Sequence, residues 1–210
     1  MIKFKNFSLK FLFILFSIII FILVSAKSYS KTMFESISNN FLRLHIVANS
    51  DSTEDQMLKY QIRDSIIEYI APFFENVTSK DEALKILNEH LNDIYNISCD
   101  IVKSNGLNYP INVSIGNFYF PTKKYSTITL PEGFYDALKI EIGNSDGQNW
   151  WCVMFPSLCI IDTNNCKFTD NSDEILRENL GIEEYSIITD SDKSKNFNIK
   201  FKLIELFENL

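Results

Sequence analysis

The stretch Phe41-Leu42-Arg43-Leu44-His45-Ile46-Val47-Ala48-Asn49-Ser50-Asp51-Ser52 changes character part-way along. Leu42, Leu44, Ile46 and Ala48 alternate with Arg43 and His45, the period of a strand with one buried face. Asn49–Ser52 is turn chemistry, and Ser52 with Asp55 three residues later is a helix N-cap pattern. A strand therefore feeds a helix. That helix is expected from Thr53 to about Phe74, with Leu58, Ile62, Ile66, Ile70 and Phe73 at helical spacing and a bend or stop at Pro72. Ser79 and Glu82 open a second helix, expected to reach about Asn96, with Leu84, Leu87, Leu91, Ile94 and Tyr95 as its apolar stripe.

Beyond Gly106 the period shortens to two. Ile111, Val113 and Ile115 alternate with Asn112 and Ser114, and Ala137–Gly143 alternates with Leu138, Ile140 and Ile142 inward. Asn144-Ser145-Asp146-Gly147 is a turn, so Gln148–Phe155 is expected as the returning strand of a hairpin. Residues 163–197 form a polar, acidic insert with one helix near Asp173–Leu180 ended by Gly181. Asn198–Phe207 is apolar again, a last packed element. Helices early and strands late give an α+β fold, expected as a mixed sheet with two helices packed on one face.

The N-terminus decides the compartment. Lys3, Lys5 and Lys10 precede an apolar run from Phe11 to Val24, and no acid occurs before Glu35. A basic start, an apolar core and the small-residue exit Ser25-Ala26 make a secretory signal, with cleavage after Ala26 as the first reading. An uncleaved anchor is the alternative, since Phe7–Ala26 spans 20 residues, enough to cross a bilayer. In both readings the lysines hold the N-terminus inside and the rest goes out. The expected organisation is residues 1–26 as signal or anchor, 27–40 as a polar tether, and 41–210 as one domain.

Outside the membrane there remain seventeen basic against twenty-seven acidic side chains, a formal charge of −10. That disfavours nucleic acid, which needs basic patches, and anionic lipid surfaces, leaving the N-terminal segment as the route to the membrane. Cys99, Cys152, Cys159 and Cys166 all lie in the exported part, where disulfides form. If Met154–Ser157 turns a hairpin, Cys152 and Cys159 face each other, which makes them the candidate disulfide.

Few residues suggest chemistry. His90 lies among polar helix residues and reads as solvent-facing. His45 precedes Asn49, Asp51 and Asp55 at a strand end, a place where ligands are often bound, but those acids are fully explained as helix caps, the favoured reading. No G-x-S-x-G, H-E-x-x-H, Gly-rich phosphate loop or paired C-x-x-C occurs, so no catalytic residue, metal ligand or cofactor is assigned. The densest unusual stretch is Gly147–Cys159, which holds both tryptophans side by side. On a strand Trp150 and Trp151 face opposite ways, one inward and the other covered or available as an interface anchor.

Two ordered motifs carry a resemblance. The first is Phe41–Ser52 followed by Glu54-Asp55-Gln56, Lys59 and Arg63-Asp64. The second is Phe120-Pro121-Thr122-Lys123-Lys124-Tyr125, Leu130-Pro131, Gly133, Tyr135–Leu138, Gly147–Pro156 and Leu158-Cys159. Together they resemble the stage II sporulation protein R family over roughly 41–162, with Ser157 where a second proline is expected and nothing recognisable in 163–197. The resemblance implies an exported, non-enzymatic signal. It would cross the forespore membrane into the intermembrane space and activate a membrane-embedded aspartic protease of the mother cell, which processes the sigma-E precursor. His45, Asn49, Asp51, Asp55, Arg63, Gln148, Asn149, Trp150 and Trp151 are the candidate partner contacts. The rival is an exported cell-wall hydrolase using His45, Asp51 and Asp55.

Overall fold

The computed structural model describes residues 2–125, 128–156 and 170–190. Helix α1 (Ile2–Ser38) leads into strand β1 (Leu42–Val47), followed by α2 (Thr53–Phe74), α3 (Lys80–Glu89) and α4 (Leu91–Ser104). Strands β2 (Ile111–Phe120), β3 (Lys123–Tyr125), β4 (Ile128–Leu130), β5 (Gly133–Ile142) and β6 (Asn149–Phe155) come next, then α5 (Asp170–Asn179) and α6 (Ile182–Thr189). The fold is α+β, as the sequence indicates. Its four-stranded mixed sheet runs β2-β5-β1-β6, and β3 and β4 make a separate two-stranded sheet.

The caps fall where they were expected. Ser52 Oγ accepts from Asp55 N at 3.2 Å, Ser79 Oγ accepts from Glu82 N at 3.3 Å, and α2 ends at Phe74 just after Pro72. The second expected helix is two helices. The chain breaks at His90, whose backbone leaves helical geometry, and α4 then continues to Ser104. Nor is His90 simply solvated: it is half-buried, with Nδ1 2.7 Å from the Tyr69 hydroxyl and its ring 4.1 Å from that of Phe73. The helix near Asp173–Leu180 begins at Asp170, and Gly181 opens α6 as well as ending α5. The element expected at Asn198–Phe207 lies outside the described residues.

The hairpin expected between Ala137–Gly143 and Gln148–Phe155 does not form. β1 lies between them, parallel to β5 and antiparallel to β6. The turn after β5 is held by the end of β1 instead: Gly147 N donates to Ala48 O at 3.0 Å and Asp146 N to Asn49 O at 3.2 Å. A Cβ on Gly147 would strike the Ser50 carbonyl, so the two loops meet this closely only through a glycine. Turn residues report that a chain reverses, not which strand it returns beside.

Each face of the sheet carries its own core. Leu42, Leu44 and Ile46 with Leu138, Ile140 and Ile142 pack under α2, α3 and α4, three helices where two were expected. The opposite face is covered as well. Ile37 and Phe41, the β3–β4 pair, and Leu176, Leu180, Ile187 and Ile188 close over Tyr135, Ala137 and Val153. Hence β1 is buried on both sides rather than one.

The tether expected over 27–40 is a correction of the same kind. Residues 27–38 continue α1 without a break, and Ser30, Met33, Phe34 and Ile37 form a helical stripe toward the second core. Phe34 fills the notch left by Gly133 and meets the Tyr135 ring edge-on at 5.4 Å. Ser36 donates to Glu184 at 2.9 Å, and Tyr29 donates to Glu183. Serines and lysines suggested a linker, but the apolar residues among them recur at helical spacing.

Candidate functional site

The two signature motifs meet at one end of the sheet, where β1 and β5 finish. Asn49 organises the meeting. Its Oδ1 accepts from Asn144 N at 2.9 Å, and its Nδ2 donates to Asp55 Oδ2 at 2.8 Å. Ser50 Oγ donates to the same carboxylate oxygen at 2.6 Å and accepts from Ser52 N at 3.1 Å. Asp55 is therefore buried at the start of α2 yet well satisfied. Burial alone would raise its pKa, but hydrogen bonds from Ser50, Asn49, Tyr109 and Ser52 outweigh it and hold the carboxyl below its ordinary value.

A second layer ties α2 to the start of β6. Gln56 Nε2 donates to Ser50 O at 2.8 Å. Lys59 Nζ donates to Gln56 Oε1 at 2.6 Å and to Gln148 O at 2.9 Å, and Asp51 Oδ1 accepts from Gln148 N at 2.7 Å. Lys59 is 1% exposed, so burial lowers its pKa, Arg63 nearby lowers it further, and Asp51 opposes both. Arg63 pairs with Asp64 at 2.6 Å and lies over the rings of Trp150 at 4.3 Å and Tyr60 at 4.9 Å.

On the opposite face His45 and Trp151 stand beside each other on β1 and β6. Their rings stack at 3.8 Å, and His45 Nε2 lies 2.6 Å from Asn149 Oδ1. Burial is the largest influence on His45 and lowers its pKa; the Asn149 contact works the other way without reversing it. The strand therefore splits the tryptophans as the period of two requires. Both are half-buried, Trp150 toward the helices and Trp151 toward the second core.

One step further down β1, Arg43 is wholly buried. Its Nε donates to Cys152 O at 3.0 Å, its Nη2 donates to the Tyr125 hydroxyl, and its guanidinium lies 4.2 Å from the Phe120 ring centroid and 4.9 Å from that of Tyr135. Aromatic faces and neutral oxygens, rather than a carboxylate, surround this cation among the described residues.

The sequence-chosen residues thus divide. Asn49, Asp51, Asp55, Arg63, Gln148 and Trp150 converge through the network around the loops. His45, Asn149 and Trp151 make a group on the other face, joined to the first through the ends of β1 and β6, where Asn149 also reaches the exposed rim. The arrangement proposed for a hydrolase is not assembled: His45 meets Asn149 and Trp151, while Asp51 and Asp55 bond to Gln148 N and to Asn49 and Ser50. Among the described residues no three His, Cys, Asp or Glu side chains stand together as metal ligands would. Gln56, Lys59 and Tyr125 were not anticipated as parts of these networks. Lys59 could have been found from its place in the stripe Asp55, Leu58, Lys59, Ile62, Arg63, where a lysine must be buried with partners. The exposed rim of the pole is Asp51, Ser52, Gln148 and Asn149.

Cys152 is disulfide-bonded and Cys99 is free, so those two are not paired. The proposed partner Cys159 lies outside the described residues. Of the turn expected at Met154–Ser157, Met154 and Phe155 belong to β6, with Phe155 opposite Leu42, and Ser157 lies outside the described residues.

Residues 38–165 match the profile of stage II sporulation protein R. The chain belongs to that family. The match covers both motifs and the whole loop network, and it ends before α5. Stage II sporulation protein R of Bacillus subtilis (strain 168) is 41% identical over 129 residues, 61% of this chain and 58% of the relative's own length. The matched part thus spans less than two thirds of that relative. No solved structure matches the chain. The family is one of sporulation proteins and its name denotes no enzyme. α1 is long and apolar enough from Lys10 to Ser38 to cross a membrane, with its apolar run unburied, which suits a signal or an anchor.

Proposed function

We propose that this protein is an exported sporulation signal that crosses the forespore membrane and acts in the intermembrane space. There it binds a membrane-embedded aspartic protease of the mother cell and promotes processing of the sigma-E precursor. The observation that carries the reading is the convergence of both family motifs on one braced pole. The half-buried Asn49 and the buried Lys59 hold the backbone of two loops, the buried Asp55 holds Asn49 and Ser50, and the exposed Asp51, Gln148 and Asn149 have side-chain surface left for a partner. A pole with this division of labour is suited to recognition: a pre-organised surface loses little freedom on binding.

The mechanism is a shift of population. Binding drives the protease toward its active arrangement only if this pole fits that arrangement better than the resting one, because equal affinity for both shifts nothing. The N-terminal segment delivers the domain, and the domain supplies the differential affinity. Co-expression in a non-sporulating cell of this chain, the protease and the precursor tests the reading. Shortened precursor is expected only when all three are present. Processing that is unchanged when this chain is omitted would end the proposal.

A further inference from the structure

Helix α1 passes from its apolar run into the domain without a joint. Neither glycine nor proline occurs between Phe11 and Ser38, and the helix is unbroken from Ile2 to Ser38. Phe11–Val24 is exposed along its whole length, whereas Ser30 is 3% exposed and Ile37 is fully buried in the second core. The environment of one helix thus changes completely between Val24 and Ser30. In a helix each N–H donates to the carbonyl four residues back, so Ala26 O answers Ser30 N–H. Cleavage after Ala26 would take that acceptor from a buried residue, a loss that burial makes costly.

The packing of α6 on α1 tells which side of the domain lies toward the apolar run. Glu184 accepts from Ser36 Oγ at 2.9 Å, and Glu183 accepts from the Tyr29 hydroxyl, about two helical turns nearer that run. Going back along α6 therefore goes toward the run, and the next residue back, Ile182, is 93% exposed. A lone exposed isoleucine is ordinary on a surface, but this one stands beside the point where α1 leaves the domain. At about 1.5 Å per residue, Phe7–Ala26 fills a hydrocarbon layer of about 30 Å. Tyr29 then lies about 4.5 Å beyond that layer, among the headgroups, where tyrosine is favoured.

We propose that α1 is kept as a membrane anchor and that the domain sits directly on the outer surface of that bilayer, with Tyr29 among the headgroups and Ile182 against lipid. The contact is apolar rather than ionic, which suits so acidic a domain. The acids of the seat are engaged inside the protein, Glu183 by Tyr29 and Glu184 by Ser36, and Glu35 pairs with Lys31 at 3.8 Å. A domain hung on a tether would swing. Here Ser30, Met33, Phe34 and Ile37 fasten the emerging helix to the second core, and Ile182 gives a second point of support. The domain is thereby held at one tilt to the membrane it has crossed.

Two measurements on the full chain test this. Membranes from bacterial cells making the protein are washed in alkaline carbonate, and the retained chain is weighed intact by mass spectrometry. A mass that includes residues 1–26 is expected, and a chain beginning at Lys27 overturns the proposal. The purified full chain is then placed in vesicles of phosphatidylethanolamine and phosphatidylglycerol that carry a photoreactive diazirine at the lipid headgroup. Peptide mapping is expected to find lipid adducts at Tyr29 and Ile182 as well as in residues 1–26. A flexible Gly-Ser insertion after Ala26, which leaves residues 27–38 able to pack, should keep the anchor and lose the Ile182 adduct. Adducts confined to residues 1–26, adducts spread evenly over the domain, or an Ile182 adduct that survives the insertion overturns the proposal.

Discussion

The two faces of the sheet are built from the same strands by different means. Toward α2–α4, β1 presents Leu42, Leu44 and Ile46, which need only apolar neighbours. Toward the second core the same strand presents Arg43, His45 and Val47, all buried, and there every polar group must be answered individually. Aromatic rings, Cys152 O and the Tyr125 hydroxyl answer Arg43 and Trp151 with Asn149 answers His45, while Arg43 Nη1 and His45 Nδ1 are buried without a hydrogen-bond partner. Alternation in a strand separates two rows of residues, but it does not say that the polar row meets water.

The largest effect should come from the element that closes the second face. Removing residues 27–38 strips away Phe34 and Ile37, and burial of Ile37 alone is worth about 2–5 kcal/mol. The expected outcome is a chain that fails to fold cooperatively, read by the loss of its thermal transition. A flexible linker of the same length in its place should not restore it. If it does, the second face is not a core.

At Arg43 the comparison can be made at one position. Arg43→Ala leaves a cavity among Phe120, Tyr125 and Tyr135 and should cost about 3–5 kcal/mol. Arg43→Met fills most of that volume without a charge, and its cost should be within about 1.5 kcal/mol, since buried ions can often be replaced by apolar residues of like size. Chemical denaturation distinguishes the two. Equal damage from both would mean that the positive charge itself is required.

On the loop network, Asp55→Ala should cost about 2–4 kcal/mol, because Asn49 and Ser50 lose a charged acceptor. The folded pKa of Asp55 lies below its unfolded value, so its contribution is present above about pH 4 and is lost as the pH falls through the folded pKa. Asp136 and Glu141 are shifted in the same direction and add to that acid limb. Asp55→Asn should flatten part of it in a urea series from neutral to acid pH.

A smaller and earlier limb belongs to the second face. His45 also has a folded pKa below its unfolded one, so the unfolded chain takes up its proton first. Stability should be level above about pH 6.5 and begin to fall below it. His45→Gln should remove this limb while leaving the carboxylate limb in place. A wild-type profile that is flat from neutral down to about pH 4.5 would contradict the buried, neutral imidazole.

These contrasts also show what was legible in the sequence. Ser52 and Ser79 fixed two helix starts because a cap is a local device, decided within four residues. β1, β2, β5 and β6, though not the short β3 and β4, were found for the same reason. Their order was not, since β1 enters between β5 and β6 through contacts from Asn49 to Asn144 and Ala48 to Gly147 that no local pattern contains. Residues 27–38 looked polar on average, and averages conceal a stripe of Ser30, Met33, Phe34 and Ile37. Among the site residues, Asp51, Asp55 and Gln148 could be named from motif and turn chemistry. Tyr125 becomes the partner of Arg43 only after the chain has closed on itself.

In the proposed function, the pole bearing Asp51, Gln148 and Asn149 touches the protease. A photoreactive amino acid placed at Asn149, compared with one at the exposed Lys85 on α3, tests it in cells where the precursor is being processed. A covalent adduct with the protease is expected from position 149 and none from position 85. Processing that proceeds normally with no adduct from 149, or with adducts from 85 alone, would contradict it.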